Sequence, residues 1–372
     1  MQFIDLAKQQ SLIKEALDER IQAVLAHGKY IMGPEVREME AQLAEYAGTK
    51  HCVSCSSGTD ALLMPLMAWG VGPGDAVFTT PFTFIATAEV IQLLGATSVF
   101  VDIDPKTYNI SPDLLDEAIN KVIKEGKLTP KVIIPVDLFG LPADYPAIET
   151  IANKYGVKIL EDSAQGFGGR IDSKVAGSFG DAASTSFFPA KPLGCYGDGG
   201  AIFTDDDDLK EKLVSIRVHG KGNDKYDNVR IGINGRMDTL QAAIVLEKFK
   251  LFPGEIEKRN KVADAYSSLL TDRVVTPYVP ANYTSVWAQY SILARDAADR
   301  ADLQAKLKAE GVPTAVYYPK SLHQQTAFAH LAYEDGAFPV SEEMSQRIFS
   351  LPMHPYMEMK DIQFITDVIK AN

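Results

Sequence analysis

Cysteine is nearly missing from this sequence: Cys52, Cys55 and Cys195 are the only three. So few thiols, and an odd number of them, build no disulfide framework, so the fold must rest on its core. Cys52-Val53-Ser54-Cys55 has the spacing of a redox or zinc site. Zinc needs a second ligand pair, however, and a thioredoxin-type motif opens a helix after a strand, so this stretch reads as a buried strand end. Basic residues are also in deficit. There are 37 Lys and Arg against 49 Asp and Glu, a formal net charge of -12, which argues against a nucleic-acid footprint but not against one local pocket for a phosphorylated ligand. Apolar runs such as Val132 to Val136 are far too short to cross a bilayer. The opening Met1-Gln2-Phe3-Ile4-Asp5 soon turns polar, unlike a secretory leader, so the expectation is a cytoplasmic protein.

Two nucleotide motifs are absent as well. Gly70-Val71-Gly72-Pro73-Gly74 and Gly166-Phe167-Gly168-Gly169 both break the GxGxxG spacing, and no Gly-Lys pair is followed by Ser or Thr. A Rossmann dehydrogenase and a P-loop NTPase are therefore disfavoured.

What is present is a soluble globular composition, 46% hydrophobic and 23% charged over 372 residues, long enough for a large domain and a smaller one. Over the first two thirds, helical and strand signals alternate as a parallel sheet with crossover helices requires. Leu12, Ile13, Leu17, Ile21, Val24 and Leu25 share a helical face closed by Gly28, and Val36, Met39, Leu43 and Tyr46 repeat the pattern before Gly48. Strands are expected at Ala76 to Thr80, Thr97 to Val101, Val132 to Val136 and Val157 to Leu160, with helices from about Thr59, from Thr83 to Leu94, after the cap Ser111-Pro112, and from Thr239 to Phe252. The continuous apolar strands mark a sheet covered on both faces. After Pro253-Gly254 the pattern changes to a long helix from Glu255, a strand from Gln289 to Leu293, a helix from Arg300 to Glu310 and a strand from Val312 to Tyr317. The division expected is a large α/β domain over residues 1-252 and a smaller α+β domain over 253-372. The acidic run Asp205 to Asp208 reads as the cap of a surface helix.

Three stretches carry chemistry. Ser56-Ser57-Gly58-Thr59-Asp60 lies between a strand and a helix, where small residues let backbone amides and the helix dipole approach a phosphate; Ser and Asp also cap many ordinary helices. Glu161-Asp162 ends a central strand, the edge at which parallel sheets bind ligands. Lys191 stands between Pro189 and Pro192, outside helix and strand interior, and a buried lysine of lowered pKa is able to form a Schiff base.

Together these elements resemble the fold-type I pyridoxal-phosphate (PLP) enzymes, and the wording resembles the DegT/DnrJ/StrS sugar aminotransferases from Phe3-Ile4-Asp5-Leu6 to Leu351-Pro352-Met353-His354-Pro355. The matching motifs are Gly58-Thr59-Asp60-Ala61-Leu62, Pro81-Phe82-Thr83-Phe84, Glu161-Asp162-Ser163-Ala164-Gln165, Ser186 to Lys191, Gly197-Asp198-Gly199-Gly200 and the stretch Gly232 to Asp238. The resemblance implies that Lys191 holds the cofactor as a Schiff base and serves as proton-transfer base, that Asp162 faces the pyridine nitrogen, and that Phe84 stacks on the ring while Phe82 and Phe187 pack. It further implies Gln165 near the phenolic oxygen, and Gly58, Thr59 and Ser186 on the phosphate. Asn234 would reach the cofactor phosphate of a neighbouring subunit, which implies a homodimer. Tyr317-Tyr318-Pro319 resembles a His-Tyr-Pro substrate segment, with Tyr317 where histidine is usual. For His219 and His354 an active-site role and an ordinary structural one both stay open, and His323 has no assigned role.

The reaction implied has two halves: glutamate converts PLP to pyridoxamine phosphate, and a nucleotide-linked keto-sugar takes the amino group. The wording is most similar to enzymes acting on UDP-2-acetamido-2-deoxy-3-oxo-glucuronate, whose products feed O-antigen and surface polysaccharides, and Arg236 is the candidate partner of a uronate carboxylate. Aminotransferases for UDP- or dTDP-linked 3-keto or 4-keto deoxysugars share much of the pattern. Two rivals are a PLP sugar dehydratase, which carries histidine in place of Lys191, and a noncatalytic regulatory member; both are disfavoured by Lys191 and Asp162.

Overall fold

The structure, a computed structural model, describes residues 1–224, 226–270 and 272–371. Two helices lead, α1 (Leu6–His27) and α2 (Pro34–Ala47), and both stop at a glycine in left-handed conformation, Gly28 and Gly48, where a side chain would be strained. There follow β1 (His51–Cys55), α3 (Gly58–Ala68), β2 (Asp75–Thr79), α4 (Ala86–Leu93), β3 (Thr97–Phe100), α5 (Pro112–Glu125), β4 (Thr129–Ile134), α6 (Tyr145–Tyr155) and β5 (Lys158–Asp162). A small antiparallel excursion, β6 (Arg170–Ile171) and β7 (Lys174–Val175), precedes β8 (Ala182–Ser186), β9 (Gly200–Thr204), α7 (Asp207–Ile216) and α8 (Thr239–Phe249). Asp206 caps α7 with its carboxylate, as the acidic run implied.

The main sheet has seven strands in the order β1-β9-β8-β5-β4-β2-β3, and β9 alone runs against the rest. Its faces are covered by separate apolar clusters. Val53, Val77, Val132, Leu160 and Ile202 pack under α3, α4 and α7, while Phe78, Ile133 and Ile159 pack under α5 and α6. Burial on both faces explains why these strands are apolar throughout. Because the strands are parallel, Cys55, Ile134, Asp162 and Ser186 all end at one edge, and the register sets Cys55 and Ser186 opposite Gly200.

The remaining elements are α9 (Phe252–Leu270), β10 (Tyr283–Thr284), β11 (Tyr290–Leu293), α10 (Ala297–Ala309), α11 (Pro339–Arg347), β12 (Ile348–Leu351) and α12 (Met359–Lys370). Helix α9 starts at Phe252, with Pro253 and Gly254 inside its first turn. Phe252 and Ile256 join the apolar cluster formed with α2 and α8, whereas Tyr266 and Leu270 join the cluster of α10, α12 and the β11-β12 ribbon. One helix thus spans both cores. The strand expected at Val312 to Tyr317 is not formed. Pro313 has no amide hydrogen to give a ladder, and only Ala315 pairs, with Ser350. Helix α4 begins at Ala86 rather than Thr83, after a turn in which Thr80 Oγ1 accepts from the Phe82 amide. The N-terminal segment folds back: Met353 N donates to Phe3 O, and Gln9 Nε2 donates to both Glu255 oxygens. Among the described residues no helix is long and apolar enough to cross a membrane.

Candidate active site

At the carboxyl edge, the turn after β1 enters α3. Ser57 caps the helix by accepting from the Asp60 amide, and Ala61 N starts the helical ladder to Ser57 O. The amides of Gly58 and Thr59 are left without a protein acceptor among the described residues, at the positive end of the helix dipole. Ser186, the last residue of β8, lies against this turn: a Cβ on Gly58 would sit 2.6 Å from Ser186 Cβ. Ser186 Oγ accepts from Phe188 N at 3.3 Å, so its own proton is free for a ligand.

Asp162 ends β5 and is buried. Oδ2 accepts from Thr87 Oγ1 at 2.8 Å and Oδ1 from Ala164 N at 3.2 Å. Thr83 and Thr87 hydroxyls are 3.2 Å apart. Since Thr87 gives its proton to the carboxylate, Thr83 must be the donor to Thr87. Burial pushes the Asp162 carboxyl up, opposed by these hydrogen bonds and by the Lys191 charge. Lys191 shows the mirror effect: burial lowers its ammonium pKa, against the pull of Asp162. The lysine side chain is held on a turn in which Lys191 N donates to Phe188 O at 2.9 Å, and Nζ has no hydrogen-bond partner among the described residues.

Gln165 is also buried; its Oε1 accepts from Phe139 N at 2.9 Å and its Nε2 donates to Tyr318 Oη at 3.1 Å. Tyr317 and Tyr318 pack on the cluster of Phe82, Tyr108 and Phe139. Phe84 is 55% exposed just ahead of α4, while Phe82 and Phe187 are wholly buried. His354 lines a narrow cleft with Lys191, Pro192, Asp5 and Arg259, and burial lowers its pKa. His219 is exposed and braces its loop through backbone bonds, and His323 is buried against Glu342 at 3.0 Å.

The fold therefore brings Gly58, Thr59, Asp162, Gln165, Ser186, Lys191 and Tyr318 to one edge of the sheet. It does not bring Asn234 and Arg236 there within the chain. Asn234 is exposed, its Oδ1 accepts from Arg236 Nε at 3.0 Å, and neither is bonded to Asp162, Gln165 or Ser186. Sequence reasoning missed Thr83 and Thr87, whose four-residue spacing beside Phe84 was the available signal. It also missed Asp137, which hydrogen-bonds Tyr145 at 2.8 Å behind the site and had no signal at all. Cys52 and Cys55 are buried free thiols pushed well up by burial, as the strand-end reading required.

An open parallel sheet with a smaller α+β unit packed beside its carboxyl edge, and with a lysine opposing an acid there, defines a fold-type I pyridoxal-phosphate-dependent transferase. The family model described as DegT/DnrJ/EryC1/StrS aminotransferase matches residues 11–370, and the chain belongs to that family. It is 50% identical over 368 residues, 98% of each chain, to a UDP-2-acetamido-2-deoxy-3-oxo-D-glucuronate aminotransferase of Pseudomonas aeruginosa. Among solved structures, a DegT/DnrJ/EryC1/StrS aminotransferase from Brucella abortus is 52% identical with a TM-score of 0.97, covering 100% of this chain and 99% of that one. The NtdA protein of Bacillus subtilis, solved with bound cofactor pyridoxamine phosphate, is 33% identical with a TM-score of 0.90 over 100% of this chain and 85% of that one.

Proposed function

We propose that this aminotransferase uses PLP to convert a nucleotide-linked keto-sugar into an amino-sugar, with glutamate as donor and UDP-2-acetamido-2-deoxy-3-oxo-glucuronate as the sugar. The observation that carries the chemistry is the pairing of Lys191 with buried Asp162, each drawn by burial toward its neutral form. Such a pair suits a cofactor that offers a carbonyl to one and a basic ring nitrogen to the other. The free amides of Gly58 and Thr59 and the free proton of Ser186 suit its phosphate, in a space that a Cβ on Gly58 would fill. When bound, PLP supplies the electron sink for carbanion chemistry.

The protein groups then have separate tasks. Asp162, kept as an acceptor by Thr87 and Ala164, holds a proton on the ring nitrogen. Lys191 would hold the cofactor through Nζ and would serve as the base that takes the substrate's proton, a task its lowered pKa favours. Phe84, half exposed, would stack on the ring. Asn234 and Arg236 serve the site of a second subunit in a homodimer, a reading supported by the exposure of Asn234 and of the apolar Val229 and Ile231 nearby in sequence. Tyr317 and Tyr318 face the sugar. The choice of a uronate rests on the similarity to the Pseudomonas enzyme and on Arg236, and places the protein in the cytoplasmic supply of sugars for O-antigen or related surface polysaccharides.

Borohydride reduction of the yellow protein, followed by peptide mapping, tests the chemistry: the label is expected on Lys191, and a label on any other lysine overturns the assignment. Glutamate should bleach the colour before reduction. A panel of UDP- and dTDP-linked keto-sugars then tests the substrate, with fastest turnover expected for the 3-oxo-uronate.

A further inference from the structure

Hydrogen-bond accounting around Gln165 assigns a task to Tyr318 that contact with substrate does not cover. The Phe139 amide donates to Gln165 Oε1 at 2.9 Å. A backbone N–H is only a donor, so the orientation of this side-chain amide is fixed: its oxygen faces Phe139 and its nitrogen faces Tyr318. Gln165 Nε2 therefore donates to Tyr318 Oη at 3.1 Å, leaving one amide hydrogen unused in a buried position. Phe139 is itself clamped. Its neighbour Leu138 donates to Asn109 Oδ1, whose amide nitrogen binds the carbonyls of Leu141 and Pro142. Tyr318 is clamped by edge contacts with Phe82 at 6.1 Å and Tyr317 at 6.0 Å between ring centroids.

We propose that Tyr318 is a positioning residue: by accepting one hydrogen of the Gln165 amide, it aims the other at the phenolic oxygen of PLP and so sets the protonation of the lysine-bound cofactor. The proposal rests on the PLP reading above and on Gln165 lying beside the phenolic oxygen. A donor held on that oxygen withdraws its negative charge and weakens its grip on the proton of the neighbouring lysine–cofactor linkage. Loosening the donor strengthens that grip, so the linkage should lose its proton at higher pH.

The test is a pH titration of the visible absorbance of the holoenzyme. Tyr318→Phe keeps the ring and its packing but removes the acceptor, and is expected to raise the midpoint by roughly 0.5–1 pH unit, the scale of one hydrogen bond. In a Gln165→Ala background the same change should add nothing, because Tyr318 acts only through Gln165. Gln165→Met, which keeps the length of the side chain and has no amide to aim, is the second background should the alanine variant not fold, and there too no further shift is expected. An unshifted midpoint in Tyr318→Phe overturns the proposal, as does an equal shift with and without Gln165, which would mean direct contact. A wild-type protein whose colour and borohydride label are not on Lys191 overturns the cofactor reading itself, whereas correct labelling with an unshifted midpoint overturns the role of Tyr318 alone.

Discussion

At Asp162 one buried carboxylate must stay an acceptor although burial favours its neutral form. Thr87, oriented by Thr83, is the side chain that opposes neutralisation. Asp162→Asn should keep the fold and lose turnover by on the order of 10²-fold or more, since an amide cannot hold the ring proton by charge. Near-wild-type kcat in that variant would sink the role. Thr87→Val removes a hydrogen bond to a charged group, about 1.5–3 kcal/mol. It should weaken cofactor binding roughly ten- to hundredfold, read by equilibrium titration of the apoprotein with PLP. Arg236 is tested by contrast between substrates: Arg236→Ala should cost about 2–5 kcal/mol in kcat/KM for a uronate and far less for a neutral keto-sugar. Equal losses for both would remove the uronate while leaving the aminotransferase standing.

The elements that were legible are those whose signals are local. Helices α1 and α2 announce themselves by apolar spacing and a terminal glycine, α5 by its Ser111-Pro112 cap, and the central strands by unbroken apolar runs. The two-residue strands β6, β7 and β10 have no period to read, and the apolar stretch after Gly311 looks like a strand although Pro313 denies it a ladder. Least legible is the acid pair behind β5. Glu161 accepts from the Gly177 and Phe179 amides at 2.7 Å each, and Asp137 accepts from Tyr145 and Ala143. Asp137 Oδ2 is a buried oxygen without a donor, and a proton shared with Glu161 would supply one. Burial pushes both Asp137 and Glu161 up, above unfolded values near ~4. The fold thus keeps a proton that the unfolded chain releases, so this contribution to stability is full below about pH 4 and is lost as pH rises through the raised range of the folded pair. Asp137→Asn, whose amide gives Glu161 a permanent donor, should flatten the decline in urea midpoint between pH 5 and 8; an unchanged slope would refute the shared proton.

On the scale of the whole molecule, the edge proposed to hold the cofactor was legible because Gly58 opens the helix after β1, Asp162 ends β5 and Lys191 stands on the turn after β8, places where residue type and position agree. Asn234 and Arg236 were named from sequence, yet a single chain leaves them outside its own site. If they serve a neighbour, specific activity should fall on dilution in step with dissociation seen by sedimentation, and Asn234→Ala should weaken PLP binding without changing the monomer fold. Full activity of an isolated monomer would contradict this.

The backbone bond from Met353 to Phe3, with Gln9 on Glu255, has a consequence for synthesis. A ribosome delivers Phe3 and Gln9 long before their partners, so the leading helix emerges with one anchor of its final position still untranslated. The central sheet is complete once β9 has emerged, and a nascent chain can collapse on it domain by domain. The cleft beside Lys191 is complete only after His354, Pro355 and Tyr356 leave the tunnel, because they and Ile4 to Gln9 supply opposite walls. Such distant pairing makes the final docking step slow compared with local helix formation. Stalled chains that end before Leu351 should therefore lack the wall that His354, Pro355 and Tyr356 supply.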